Sequence, residues 1–301
     1  MVQRPVKPPI APLRRLLLLA VLMLMLGGCS MLRVGYGQLD TVAGWMAQDY
    51  FDLDPAQREL FTSRFQRLQQ WHRREQLPDY ARFFGELRDR VQKGARAEDV
   101  QWAVDGIKAR FAVLAARAAP DAAELLAELT PAQIEVLRKK LEAGNRKFVR
   151  EHRLDQSSAA RKLAQQRRLL SQIRDWAGPL SAEQEARIIA LIQPLPLSES
   201  LRHEDRLRRQ REFLALLEQR GNRTAFAPRL REWMVNWESG RSPELARAFD
   251  SAWRSRAEFY AAVDRMLTPE QRTHLSGRLQ DYIEDFRELA ARGGTGSTGG
   301  S

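Results

Sequence analysis

The residues able to do chemistry are few and scattered. Cys29 is the only cysteine among 301 residues, so no disulfide can close within one chain and its thiol must serve another purpose. The four histidines, His72, His152, His203 and His274, lie far apart along the sequence. None belongs to an H-E-x-x-H or to a pair spaced for one helical face, the arrangements that hold zinc. His203, Glu204 and Asp205 are contiguous, and contiguous residues on a helix point around it rather than together. No glycine-rich phosphate loop and no G-x-S-x-G nucleophile elbow occurs. Carboxylates are plentiful, yet nearly all sit among arginines, where charge pairing is their first use. A hydrolytic pair of the kind peptidoglycan cleavage needs would have to be assembled by the fold. The chain reads as a non-enzyme, with no catalytic, cofactor-binding or metal residue.

Around Cys29 the sequence has the zones of an export signal. Arg4, Lys7, Arg14 and Arg15 form a positive flank, Leu16 to Leu26 is an unbroken apolar run, and Gly27 and Gly28 lead to the cysteine. Eleven apolar residues are about half of what a bilayer-spanning helix requires, so residues 1–28 read as a cleaved signal. Leu26-Gly27-Gly28-Cys29 resembles the lipobox of bacterial lipoproteins. That resemblance implies a diacylglycerol on the Cys29 sulfur, cleavage after Gly28, and acylation of the new amine, the only covalent additions expected. One acyl chain holds a protein marginally, at roughly 0.8 kcal/mol per buried methylene, and several hold it permanently. Ser30 follows, where lipoproteins kept in the inner membrane usually carry Asp. By the same resemblance the destination is the periplasmic face of the outer membrane.

One short pattern occurs four times: Leu53-Asp54-Pro55-Ala56-Gln57, Leu129-Thr130-Pro131-Ala132-Gln133, Leu180-Ser181-Ala182-Glu183-Gln184 and Leu267-Thr268-Pro269-Glu270-Gln271. Each is a helix start. Asp, Thr or Ser at the N-cap accepts a bond from an orphan backbone N–H. Proline suits the first helical position, where its missing donor has no partner anyway. Gln at the third position can reach back to the cap's own amide, closing a capping box. The pentapeptides resemble the LTxxQ motif of the Spy/CpxP family of periplasmic stress chaperones, small helical proteins with two copies per chain. Thr stands second only in the second and fourth copies here; the match covers some 20 residues. The copies start 76 residues apart in the first pair and 87 in the second. Phe84 to Gly94 has a counterpart in Phe213 to Gly221, and Trp102 one in Trp233. These spacings suggest a duplication.

The elements that carry these starts are helices. Phe61, Phe65, Leu68 and Trp71 keep one face apolar; Tyr80, Phe83, Phe84, Leu87 and Val91 keep the next, up to Gly94. Val100, Ile107, Phe111 and Leu114 form a third face, with Pro120 as its end. Ile134, Leu137, Leu141 and Phe148 begin a long basic helix, either continuous or broken near Asp155-Gln156-Ser157, and Gly178-Pro179 closes this half. Ile188, Ile189 and Ile192, then Leu207, Leu214 and Leu217, then Phe226, Leu230, Trp233 and Trp237 follow, with breaks at Pro194-Leu195-Pro196, Gly221 and Gly240. Leu245, Phe249, Trp253, Tyr260 and Val263, and finally Leu275, Leu279, Tyr282, Phe286 and Leu289, complete the series. No stretch has the period-2 alternation of a strand. The expected fold is all-α, antiparallel helices in two tandem Spy-like units: a lipidated N-terminus with a short first helix over 29–52, units over 53–177 and 178–292, and a flexible Gly/Ser/Thr tail over 293–301.

Tyr36-Gly37-Gln38-Leu39-Asp40, Asp49-Tyr50-Phe51-Asp52-Leu53, Trp71-His72-Arg73 and Leu77-Pro78-Asp79-Tyr80 resemble an uncharacterised proteobacterial lipoprotein family. The resemblance implies an envelope location and no assigned activity. These residues either line a shared groove or pack where two helices meet.

Removing the four cations of the signal from a net charge of +11 leaves +7, mostly arginine interleaved with Glu and Asp as on solvated helix faces. The same charge suits anionic envelope material, and nucleic acid is not expected because the signal takes the chain away from it. The leading expectation is a membrane-tethered binding protein that holds unfolded envelope proteins without ATP; long Arg side chains offer a charge and an apolar stem for loose capture. The alternative is a structural or adaptor lipoprotein for one specific envelope protein or an anionic lipid, and after it a peptidoglycan-active enzyme. Geometry separates them. A concave face of aromatics and arginines suits capture; a narrow cleft with two facing carboxylates suits hydrolysis.

Overall fold

The computed structural model describes residues 29–292, and every regular element among them is helical. The signal over 1–28 and the tail over 293–301 lie outside the described residues. In order come α1 (Cys29–Gly37), α2 (Leu39–Phe51), α3 (Pro55–Trp71), one π-helical turn (His72–Gln76), α4 (Leu77–Gln92), α5 (Ala97–Ala127), α6 (Pro131–Glu151), α7 (Ser158–Ala177), α8 (Ala182–Ile192), α9 (Glu199–Glu218), α10 (Arg223–Val235), α11 (Pro243–Asp264) and α12 (Pro269–Ala291). The fold is all-α. Among the described residues no helix is long and apolar enough to cross a membrane.

The chain divides into two compact units at Leu39 and Asp40, and both hydrophobic clusters belong to the second. The first cluster joins Leu53, Leu126, Leu129 and Leu137 to Leu217, Phe226 and Leu230. The second joins Leu169, Ile173, Ile188, Ile192, Phe259 and Val263. Helix partners run across the expected boundary at Gly178: α4 packs on α12, α5 on α10 and α11, and α6 on α9. Helices that precede Gly178 in sequence thus bury their apolar faces largely against helices that follow it.

Two local expectations need correcting. Pro120 does not end its helix; α5 runs through it from Ala97 to Ala127. The proline ring is exposed, and the turns on either side are pinned because Ala115, Ala119 and Ala123 are buried, with Ala123 and Leu126 in the first cluster. Tertiary packing there outweighs the lost hydrogen bond. Ile107 and Phe111, expected to pack inward, are 58% and 49% exposed. The basic helix after Thr130 is broken: α6 stops at Glu151, Arg153 takes a left-handed φ of 55°, and Ser157 caps α7.

Trp71, His72 and Tyr80 stand where α3 turns into α4. Tyr80 packs edge-on against His72 at 5.3 Å and Phe286 at 5.8 Å, and Trp71 donates to Glu75. Phe83 is 2% exposed, with Trp102 at 4.9 Å and the Arg110 guanidinium 4.0 Å from its ring centre. A Cβ on Gly106 would lie 2.9 Å from the Phe83 Cζ and closer still to Cε2. Gly106→Ala is therefore expected to destabilise by about 1–3 kcal/mol, although alanine favours a helix interior by about 1 kcal/mol over glycine. Urea unfolding reads this; an unchanged or raised midpoint would mean the Phe83 ring has room to swing.

Candidate functional site

All four pentapeptides begin helices. Asp54, Thr130, Ser181 and Thr268 cap α3, α6, α8 and α12, and each closes a capping box with Gln57, Gln133, Gln184 and Gln271. The fold then brings the copies together in pairs. Gln57 Nε2 donates to Gln133 Oε1 at 3.3 Å, and Gln133 Nε2 donates back to Gln57 Oε1 at 2.6 Å. Each amide's other N–H reaches the carbonyl just before the partner's leucine: Gln57 to Glu128 O at 3.1 Å, Gln133 to Asp52 O at 3.0 Å. The second pair repeats every bond. Gln184 and Gln271 exchange 2.8 and 3.0 Å bonds, Gln184 donates to Met266 O, and Gln271 donates to Pro179 O.

Each Gln Oε1 also accepts from its own cap's backbone N–H, so every hydrogen-bonding position of the four amides is engaged. Leu53 and Leu129 lie buried in the first cluster, and Leu180 and Leu267 pack on the second. The pentapeptides are joints between helix starts. Their functional atoms face each other and leave none for a client.

The place with room for a ligand is elsewhere. A cavity of about 820 Å³ opens among α5, α6, α7, α9, α11 and the turn between α10 and α11, within the range common for ligand sites. Local structure explains who faces it. On α9, Arg202, Arg206 and Arg209 follow at i, i+4 and i+7 and share one face. The α10–α11 turn, closed by the Ser242 cap on Leu245 N, carries Trp237, Glu238 and Arg241 to the same cavity. From α11 come Phe249, Trp253 and Arg256, and from α5 Ile107, Lys108 and Phe111.

The carboxylates here are already paired. Asp205 binds Arg208 at 2.8 Å and Arg241 at 3.0 Å, Glu238 binds Arg241 and Lys108, and Glu199 binds Arg168. Burial alone would raise the Asp205 pKa, but hydrogen bonds and charges from Arg241 and Arg208 reverse that and hold it below the usual carboxylate range. A general acid needs the opposite shift. Among the described residues, four arginines on the lining form no ion pair with a carboxylate. Arg209 donates to the carbonyls of Trp233 and Trp237 and lies 4.1 Å from the Trp233 ring centre. Burial, then the neighbouring Arg208, lowers its pKa. Arg206 donates to Asn145 Oδ1 at 2.7 Å. The side chains of Arg202 and Arg256 make no hydrogen bond or ion pair among the described residues, although Arg202 lies 5.9 Å from the Phe148 ring centre.

His152 and His203, distant in sequence, flank Phe148 at 4.1 and 5.6 Å. Among the described residues no group of three His, Cys, Asp or Glu could hold a metal ion. Cys29 stands at the first residue of α1. Neither Cys29 nor any pentapeptide residue lines the cavity; of the His203-Glu204-Asp205 run, Asp205 does. The cavity's one legible signal was the arginine row on α9, a like-charge i, i+4 spacing that disfavours an isolated helix.

A family model described as a family of unknown function (DUF6279) matches residues 49–245. No curated protein and no solved structure matches the chain.

Proposed function

The chain belongs to the DUF6279 family, a family of unknown function, and from that premise we propose a lipid-anchored, non-enzymatic binding protein of the bacterial envelope. It holds an anionic, partly apolar ligand in the cavity walled by arginines and aromatic rings. The observation that carries this is the charge surplus: four arginines without carboxylates beside rings of Phe111, Trp237, Phe249 and Trp253. A lining whose acids are all paired suits holding better than hydrolysis, because no carboxyl is left to give or take a proton. The anchor is Cys29, with the outer membrane as destination on the strength of Ser30.

A second reading is Spy-like holding of unfolded segments, motivated by the four LTxxQ-like pentapeptides. One observation favours it: Ile107, Phe111 and Trp253 are exposed large hydrophobic residues on the cavity wall. Against it, the pentapeptides' glutamines are consumed by one another.

Two measurements test the proposal. Labelled palmitate should enter the wild-type chain and not Cys29→Ser, which should leave the outer-membrane fraction; equal labelling of both removes the anchor. The purified protein should bind anions and release no soluble fragments from sacculi, whereas fragment release would replace binding with hydrolysis. Suppression of aggregation of an unfolding periplasmic protein at stoichiometric amounts would favour the second reading.

A further inference from the structure

The arginine cavity has a neighbour. A second cavity of about 430 Å³ is lined from α4, α5, α7, α11 and α12, largely by apolar side chains such as Leu87, Val100, Ile173, Trp176, Val263 and Leu275. Its charged groups are already paired: Arg90 with Asp99 at 2.6 Å, and Asp264 with Arg272, outside the lining, at 2.9 Å. Gln172 and Tyr260 line both cavities, so the two adjoin there. One chamber offers unneutralised guanidinium groups, and the next offers apolar walls.

A free inorganic anion would leave the second chamber unused, and a neutral hydrocarbon would leave four arginines unmatched. A molecule with an anionic head and a slender apolar tail answers both. Arg202, Arg206 and Arg209 span roughly 10 Å along α9, long enough to meet a phosphodiester and its substituent, and Arg is the side chain best shaped for phosphate oxygens. Basic pockets between helices bind phospholipid heads in membrane proteins on the same principle. A protein tethered by acyl chains at Cys29 would work beside a surface made of such molecules.

We propose that the two cavities form one site for a membrane phospholipid whose head carries a net negative charge. The head lies among Arg202, Arg206, Arg209 and Arg256, and one acyl chain passes Gln172 and Tyr260 into the second chamber. This deepens the binding function above and rests on it.

The test is native mass spectrometry of the full-length protein in neutral maltoside detergent, titrated with three probes. These are dioleoyl phosphatidylglycerol, zwitterionic dioleoyl phosphatidylcholine, and glycerophosphoglycerol, the head without chains. Wild-type protein should take one phosphatidylglycerol at a concentration at least tenfold below that needed for phosphatidylcholine; equal uptake overturns the proposal. Arg202→Gln with Arg256→Gln, side chains that make no hydrogen bond or ion pair among the described residues, should reduce the preference to about twofold, and an unchanged preference overturns the head assignment. Ala103→Trp, at a half-buried wall position of the second cavity, should lower phosphatidylglycerol uptake about tenfold and leave the head-only probe unaffected. If that variant takes up the lipid as wild type does, the tail placement is wrong while the anion-binding function survives. Absence of any anion adduct overturns both. Uptake of the head-only probe with no lipid adduct overturns the lipid and keeps the binding function. Val100→Trp serves as a second plug, and a thermal midpoint near wild type for each variant separates lost binding from lost folding.

Discussion

Asp205→Ala is expected to cost about 3 kcal/mol of folding stability, the lower end of what removing one partner of a buried ion pair does. Asp205 is 6% exposed and holds Arg208 and Arg241, whose side chains are 11% and 7% exposed. Deleting the carboxylate leaves two guanidinium groups close together, answered by Glu212, Glu238 and the Trp237 carbonyl. Asp205 lines the large cavity and is not sealed in the core, which keeps the cost from reaching the top of the range. The loss should depend on pH with a definite sign. Because the folded state depresses the Asp205 pKa, its contribution is complete above the unfolded value of about 4 and drains away as pH falls through the lower folded value. Urea unfolding of wild type and variant should differ fully at pH 7 and converge below about pH 4. Asp99, depressed first by the backbone N–H of Arg96, titrates in both proteins and cancels from the difference. A gap that is constant with pH would mean Asp205 acts through packing and not through its charge.

Gln133→Glu is the second large effect, about 2–3 kcal/mol, by the cost of stranding buried polar groups. Gln133 is 8% exposed, and its Nε2 supplies both the Gln57 Oε1 and the Asp52 carbonyl. A carboxylate there donates nothing, faces the Gln57 oxygen, and leaves the Asp52 carbonyl without that donor. The capping bond to Thr130 N would survive, because it needs only an oxygen. Glu and Gln serve a capping box equally, so the substitution separates the local cap from the joint. Gln184→Glu should cost less, since Gln184 is only half-buried. A double-mutant cycle of Gln57→Ala and Gln133→Ala should show coupling of at least about 0.5 kcal/mol. If Gln133→Glu is as stable as wild type, the pentapeptides are caps and nothing more.

Much of the scaffold is legible in the sequence. Thr130-Pro131-Ala132-Gln133 announces a helix start because cap chemistry is local: donor, acceptor and proline all act within one turn. Gly178 closes α7 with a left-handed φ of 84°, again a local matter. The pairing of the pentapeptides was not legible, because nothing in the spacing of 53 and 129 says that their glutamines meet. That contact is set by how the first cluster packs. The same limit hid the cavity. Ile107 and Phe111 have the periodicity of a buried face, and periodicity reports which residues share a face without saying whether a neighbour covers it. The helix running through Pro120 was hidden for the converse reason, since neighbours decided against a local breaker. Counterparts drawn between the halves were close but not in register: the ring against Trp102 is Phe83, while Phe213 stacks on Trp233.

At the joint between Ser181 and Thr268, hydroxyls and amides do all the bonding, and neither gains or loses a proton over any pH a living cell meets. The wall of the arginine cavity instead depends on Asp205, a carboxylate that is discharged once the pH falls below the usual carboxylate range. Acid therefore reaches the two parts of this protein unequally. Strong acid would loosen the turn that Asp205 pins through Arg208 and Arg241, while the joint at Ser181 and Thr268 holds.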